Sequence, residues 1–379
     1  MSINFQFYRK SLVMKKIITL FTLIITAPSF SQNIIPLDTV HWNVRAQSFV
    51  VEKYKGKESV YIQGGSIILK DVAFLNGTIE FDVYLKEEQA FPGVEFRTVG
   101  ANSEMFFLRP HLSGKADANQ AAPRVNGVTP FQLNFGPKYS FPYNYEYDDW
   151  THVKVVVNND KAQVFLDYAD TANLSWNLSH KPIVGGVTIR GGRFTGMHVA
   201  DIKVDKNATT LVNFNPVERE PIEGLVPQWE ISDMFEEKLL NSPSSLNELI
   251  KNRNWQGKVK VEEGTAANIS RIQLLRNGKP GNTVFAKIVI NSNKDQLKLF
   301  EFGYSDRVVA VLNGNPIYRG TNRWRSRDYR YLGTVGLFDG IYLNLKKGKN
   351  ELLMAVSEDF GGWLITGKFK NKDGIKIDY

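Results

Sequence analysis

From Gln32 onward, apolar residues alternate with polar ones in short runs that Gly, Pro, Asn and Asp interrupt, and helical spacing is almost absent. Runs of period two predict half-buried strands. In GTIEFDVYL, Ile79, Phe81, Val83 and Leu85 take one face while Glu80, Asp82 and Tyr84 take the other. GVEFRTVG repeats the pattern, with Val94 and Phe96 opposed to Glu95 and Arg97. FQLNF reads as a further strand with Phe131, Leu133 and Phe135 inward and Gln132 and Asn134 outward. WTHVKVVVNNDKAQVFLD predicts a hairpin: Val153, Val155 and Val157 precede an Asn158-Asn159-Asp160 turn, and Val164 and Leu166 follow it. GGVTIRG and MHVADIKV supply two more strands. Short strands at this spacing predict a β-sandwich.

Pro216, Pro221 and Pro227 fall among charged residues and leave few ways to continue a strand, so residues 216–225 are read as a linker. It separates a first unit, 32–215, from a second, 226–379. The second opens with two short helical patterns, Asp233-x-x-Glu236 and Ser245-x-x-Glu248, the latter spaced as a capping box ahead of Leu249 and Ile250. Strands resume in NTVFAKIVINS, DQLKLFEFGY, DRVVAVLNGNPIY, GIYLNLKKGKNELLMAVSE and GWLITGKFK, with Asn313-Gly314 and Lys347-Gly348 as turn signals. The predicted fold class is all-β, two β-sandwich (jelly-roll) domains in tandem.

Composition agrees with a globular chain, since 42% of the 379 residues are hydrophobic and 23% charged, too apolar a balance for disorder. This length lets each of two domains bury a core of its own. With no Cys, disulfides, thiolate metal sites and a Cys nucleophile are excluded. A net charge of +8 invites a polyanion partner, but part of it lies in a segment read as removable. Residues 14–31, MKKIITLFTLIITAPSFS, carry Lys15 and Lys16, an apolar run from Ile17 to Ala27, then Ser29 and Ser31. This is the layout of a secretory signal peptide, and the run is well short of the roughly 20 residues that span a bilayer. Met1 and Met14 both stay open as the start. Taking residues 1–31 away removes four basic residues and no acidic ones, which lowers the charge from +8 to +4. Attraction to polyanions in general is then weak. Nucleic acid is not expected as a partner, and the mature chain is expected to be secreted or periplasmic, without a membrane span.

The segments Trp150-x-His152-Val153-Lys154-Val155, Ala162-x-Val164-x-Leu166-Asp167 and Met197-x-Val199-Ala200-Asp201-Ile202 resemble scaffold signatures of the concanavalin A-like lectin/glucanase superfamily in its laminin-G-like form. The likeness covers about residues 40–206 and implies a fold more than a function. VVAVLNGNPIYRG and LKKGKNELLMAV resemble the galactose-binding-like jelly roll that accompanies many glycoside hydrolases. Glycosidases of the first superfamily carry Glu-x-Asp-x-x-Glu on a strand, with the outer carboxylates as nucleophile and acid/base. Here Glu80-Phe81-Asp82-Val83-Tyr84-Leu85 puts Leu85 where the acid/base belongs. Glu80 and Asp82 then read as surface carboxylates.

Glu95, Arg97, Arg109 and His111 form a denser group. Glu95 and Arg97, two apart on one strand, should share a face at about 7 Å. With MFFLRPH as a neighbouring strand, Arg109 also points away from the core, and Gln132 and Asn134 leave a third strand on the same kind of face. Converging Arg, Glu, Gln, Asn and His suit sugar hydroxyls, although alternation alone also places polar residues there. His111 and Glu95 are the candidate catalytic residues, because an imidazole accepts a proton at neutral pH. Jelly-roll polysaccharide lyases resemble this arrangement in using a Gln-x-His strand, but Asn134 stands where that His would be. His41, His152, His180 and His198 lack metal-ligand spacing and read as structural. Asp117, Asn119, Asp167 and Asp201 are calcium donors by type only, so no metal or cofactor is assigned and calcium is left open.

YRGTNRWRSRDYRY, residues 318–331, packs five Arg and four aromatics against one Asp. If extended, Arg323, Arg325 and Arg327 share a face and Trp324 takes the other. Arginine forks match carboxylate or sulfate, and a ring stacks on a sugar. The same arginines could instead pack on Glu358, Asp359 or the first unit, and Trp363 after Gly361-Gly362 is either a platform or a core residue. Three function classes follow. The leading one is non-catalytic recognition of an oligo- or polysaccharide, an acidic one where the arginines act. A polysaccharide-cleaving glycoside hydrolase or lyase built on the first-unit cluster is the alternative, and a structural module that contacts proteins is the third. Binding needs only hydrogen-bonding groups and a stacking face, and the sequence supplies these more fully than a positioned acid and base.

Overall fold

The computed structural model describes residues 1, 34–192, 194–275, 281–323, 328 and 330–378. The expected signal segment lies outside the described residues, as do Trp324, Arg325 and Arg327. Among the described residues no helix is long and apolar enough to cross a membrane. The chain is all-β, and from Ile34 onward it belongs to one compact unit.

Two sheets built from residues 42–205 face each other. The six-stranded one runs Trp42–Arg45, Ser66–Leu69, Gly186–Arg190, Gly93–Val99, Asn102–Leu108 and Asn119–Arg124 in spatial order. The seven-stranded one runs Leu174–Asn177, Lys161–Leu166, Asp149–Asn158, Gly77–Leu85, Met197–Asp205, Lys57–Gln63 and Ser48–Tyr54. Ile79, Phe81, Val83 and Leu85 interleave with Val94, Phe96, Phe106 and Leu108 in the core between them, as alternation predicts. The hairpin forms with Val153 opposite Leu166, and Asn159 takes the left-handed conformation at its turn.

Residues 228–378 build one long pleated path that folds back on itself around Trp229, Phe300, Phe302, Tyr304 and Trp363. Its longest pairing joins Thr283–Ser292 to Gly348–Ser357, with all ten residues in register. Asn313 and Gly314 turn Arg307–Leu312 into Asn315–Thr321, both at positive φ (50° and 82°), as a type I′ turn requires. A short helix, Leu246–Lys251, and two 3-10 turns before it cover the outer side of the central strands, burying Leu246 and Leu249 on Phe285, Val311 and Leu353. Those strands are therefore apolar on both faces.

Several local expectations are corrected. FQLNF is a turn: the Leu133 and Asn134 backbone amides both donate to the Pro130 carbonyl, and the Gln132 backbone N–H donates to the Gly361 carbonyl. Its alternating apolar residues arise because Leu133 packs on Ala266, Val335 and Leu364 of the second sandwich. Asp233–Glu236 is not helical, and the first 3-10 turn begins at Glu237. Ser245 precedes the helix without capping it, since its hydroxyl donates to the Ser242 carbonyl. Trp363 is fully buried and donates its indole N–H to the Val356 carbonyl at 3.0 Å, so it is a core residue and not a platform. Asp82 is no surface carboxylate. It lies buried between the Lys57 ammonium and the His152 ring, whose Nδ1 is 2.6 Å away.

The two sandwiches meet along a seam. Arg219 reaches from the connecting segment to donate to the carbonyls of Leu133 (2.9 Å) and Phe135 (2.8 Å), with its guanidinium 4.4 Å from the Phe135 ring centre. Asn126 donates to the Ser270 carbonyl, and Arg271, paired with Glu262, donates to the Ser179 hydroxyl at 2.6 Å.

Candidate functional site

The outer face of the six-stranded sheet carries rows of residues set by register. Arg190 lies opposite Gly93, which lies opposite Phe107, which lies opposite Gln120. A Cβ at Gly93 would sit 2.6 Å from the Phe107 Cα, so only glycine lets these strands close up. The Arg190 guanidinium then passes over the bare position to within 5.7 Å of the Phe107 ring centre. The next row places Thr188, Glu95, Met105 and Ala122 side by side. Glu95 accepts from Arg124 at 2.7 Å, lies 3.6 Å from Arg190 and accepts from the Ser103 hydroxyl at 3.3 Å.

This face is one wall of a cleft of about 1120 Å³ whose other wall comes from the second sandwich. Phe107, Arg109, His111, Asp117, Arg124 and Arg190 line the first wall; Leu275, Arg330, Tyr331, Glu358, Asp359 and Phe360 line the second. Aromatic rings run through it in a chain of edge and tilted contacts, Phe194 to Phe91 to Phe107 to Phe131 to Phe360, with centres 5.4–6.3 Å apart. His111, on the one-turn helix Pro110–Leu112, sets its ring edgewise to Phe91 at 5.3 Å.

The expected polar cluster is only partly assembled here. Arg109 lines the cleft but is not the exposed side chain that alternation implies. It is fully buried, donating to the Asp117 carboxylate at 2.6 Å and to the Gln120 side chain, with Phe107 against its guanidinium. Arg97 leaves the group altogether. A bulge in the strand gives it φ +52°, and its buried guanidinium donates to the Leu75 and Asn159 carbonyls and the Asn76 side chain. Gln132 and Asn134, expected on an outward strand face, are buried in the seam turn. The side-chain Oε1 and Nε2 of Gln132 have no hydrogen-bond partner among the described residues. Arg323 is described at 60% side-chain exposure, 3.4 Å from Asp359.

Electrostatics separates the cleft's acids. Burial, reinforced by Asp306 nearby, holds the Glu358 carboxyl well above the usual carboxylate range. One of its oxygens accepts from the Gly362 amide, and the other has no partner among the described residues. Asp359 is held below its ordinary value by Arg307, whose Nη1 is 2.5 Å away. The calcium-type oxygens are engaged elsewhere: Asp117 by Arg109, Asn119 by the Phe141 backbone, Asp167 by Tyr143 and the His152 amide, and Asp201 by Lys57. No group of three metal-ligating side chains occurs among the described residues.

No family model and no curated protein matches the chain. Solved structures similar to it include the carbohydrate-binding module CBM66 of Bacillus subtilis, 13% identical over 44% of this chain and 95% of its own, with a TM-score of 0.34. Galectin LEC-6 of Caenorhabditis elegans is 12% identical over 43% of this chain and 99% of its own, at a TM-score of 0.28. Domain 4 of AbnA, an extracellular arabinanase of Geobacillus stearothermophilus solved with arabinotriose, is 11% identical over 44% of this chain and 81% of its own, also at 0.28. At these values the likeness carries neither a ligand nor an activity to this chain.

Sequence reasoning missed Phe107, Arg124, Arg190, Phe360 and the placement of Glu358 in the cleft. Adjacent Phe106 and Phe107 could have signalled the first, because neighbours on a strand point to opposite faces and two rings in a row imply that both faces are covered. Nothing local marks the others.

Proposed function

We propose that this chain is a carbohydrate-binding protein without catalytic activity, and that a segment of an oligo- or polysaccharide lies in the cleft between the sandwiches. The first sandwich is read as concanavalin A-like and the second as galactose-binding-like. One observation carries the reading: the rings of Phe194 (59% exposed) and Phe360 (37% exposed) border a cleft that also presents Arg124 and Arg190. A sugar offers an apolar ring face and a rim of hydroxyls, and this lining answers both. The volume slightly exceeds that of pockets for small molecules, as an extended ligand needs.

The test is a glycan array run with the full chain, beside assays for new reducing ends and for unsaturated products on every glycan retained. Retention without turnover is expected. Product formation would favour the second reading, a polysaccharide-cleaving enzyme. That reading is supported by Glu358, a carboxyl in the cleft lining that burial shifts upward, the direction a proton donor to a leaving oxygen needs, with His111 on the facing wall.

A further inference from the structure

Of the acids lining this cleft, Asp117 is paired with Arg109 and Asp359 with Arg307, and Glu358 is buried, its carboxyl held above the usual carboxylate range. Two cations of the first wall remain accessible. Arg124 pairs with Glu95 at 2.7 Å. Arg124 is 37% exposed, and Lys115, exposed on the same wall, makes no ion pair among the described residues. A neutral ligand would cover these charges without answering them, whereas an anion would replace the lost water.

Resting on the carbohydrate reading above, we propose that the ligand is anionic, a sugar bearing a carboxylate or a sulfate that Lys115 and Arg124 receive while its ring lies against Phe360. Both anions suit an arginine fork and a lysine point charge. Arg124 offers the directional contact, and Lys115 adds charge that salt can screen.

The experiment is calorimetric titration of the full chain with oligogalacturonate, its methyl ester, a sulfated galactan oligomer and its desulfated form, each at low and at physiological salt. In at least one pair the acidic member should bind at least about tenfold tighter, the low end of what a charge-assisted hydrogen bond contributes. Added salt should weaken that binding, and the pair that responds distinguishes uronate from sulfate. Lys115→Gln and Arg124→Gln should each lose about tenfold on the acidic member alone, while Phe360→Ala should weaken acidic and neutral members alike. Lys115 is exposed, so its variant keeps the test free of folding defects. Equal or salt-insensitive binding in both pairs, or retention of only neutral glycans on the array, overturns the anionic ligand and leaves the carbohydrate reading standing. Retention of no glycan at all overturns both.

Discussion

The Arg109 guanidinium and the Asp117 carboxylate meet at 2.6 Å with both side chains withdrawn from water. Their first consequence is for stability. Removing one partner of a buried pair leaves the other charged and desolvated, at a cost of about 3–5 kcal/mol. Arg109→Ala and Asp117→Asn should therefore each lower the unfolding free energy by about that amount in urea titrations. A loss below about 1 kcal/mol in both would mean that the pair is solvated.

Stability should fall as pH rises from about 4.5 to about 7. Glu104, buried beside the seam, has its carboxyl raised from 4.5 to about 7 by burial, against the amides of Ser179 and His180 and the charges of Arg271 and Arg97. A raised folded-state pKa means that the folded chain holds a proton the unfolded one has released. The stabilisation is complete below 4.5 and is lost as pH rises through 7. It amounts to about 3 kcal/mol. Thermal melts across that range should show the decline. Glu104→Gln keeps an acceptor for both amides and should make the decline shallower, leaving the part due to Glu358 and Asp306, which burial also raises; an unchanged slope would assign the effect elsewhere.

Residues 32–215 and 226–379 are proposed as two folding units joined by 216–225, and the seam offers the test. The native chain should melt in one transition because Arg219 and Leu133 tie the units together. Arg219→Ala combined with Leu133→Ala removes two hydrogen bonds and about 2–5 kcal/mol of packing, and should split the melt in two while exposing 216–225 to protease. A single transition in the double variant would count against separate units.

Processing gives a further check. Intact-mass measurement of protein exported from a bacterial host should place the N-terminus at Gln32, given Lys15-Lys16, the short apolar run and the small residues before it. A mature chain that retains residues 14–31 would remove the basis for an extracytoplasmic location.

The sandwich was legible wherever one strand face meets its own core, as in Ile79 to Leu85, because period two is a local property of the chain. Where a face is covered by something distant, the pattern misled. Glu80, Asp82 and Tyr84 do leave the core, yet Asp82 and Tyr84 are buried, Asp82 by Lys57 and His152 and Tyr84 beneath Tyr54 and Trp150. FQLNF mimics a strand because the seam wants Leu133. Arg97 was assigned a side by counting residues, and one bulge reverses such a count. At the site, Arg109 and His111 were found from residue type, Glu95 sits just beneath the lining, and the rest depended on which loops of one sandwich face which sheet of the other.

Both walls of the cleft are fixed by contacts that exist before any ligand arrives, Arg219 and Leu133 across the seam and Gly93 within the sheet. Encounter should then need no rearrangement. Stopped-flow traces should show a single phase whose observed rate climbs linearly with ligand concentration, and differences among ligands should appear in how long each stays rather than how fast it enters.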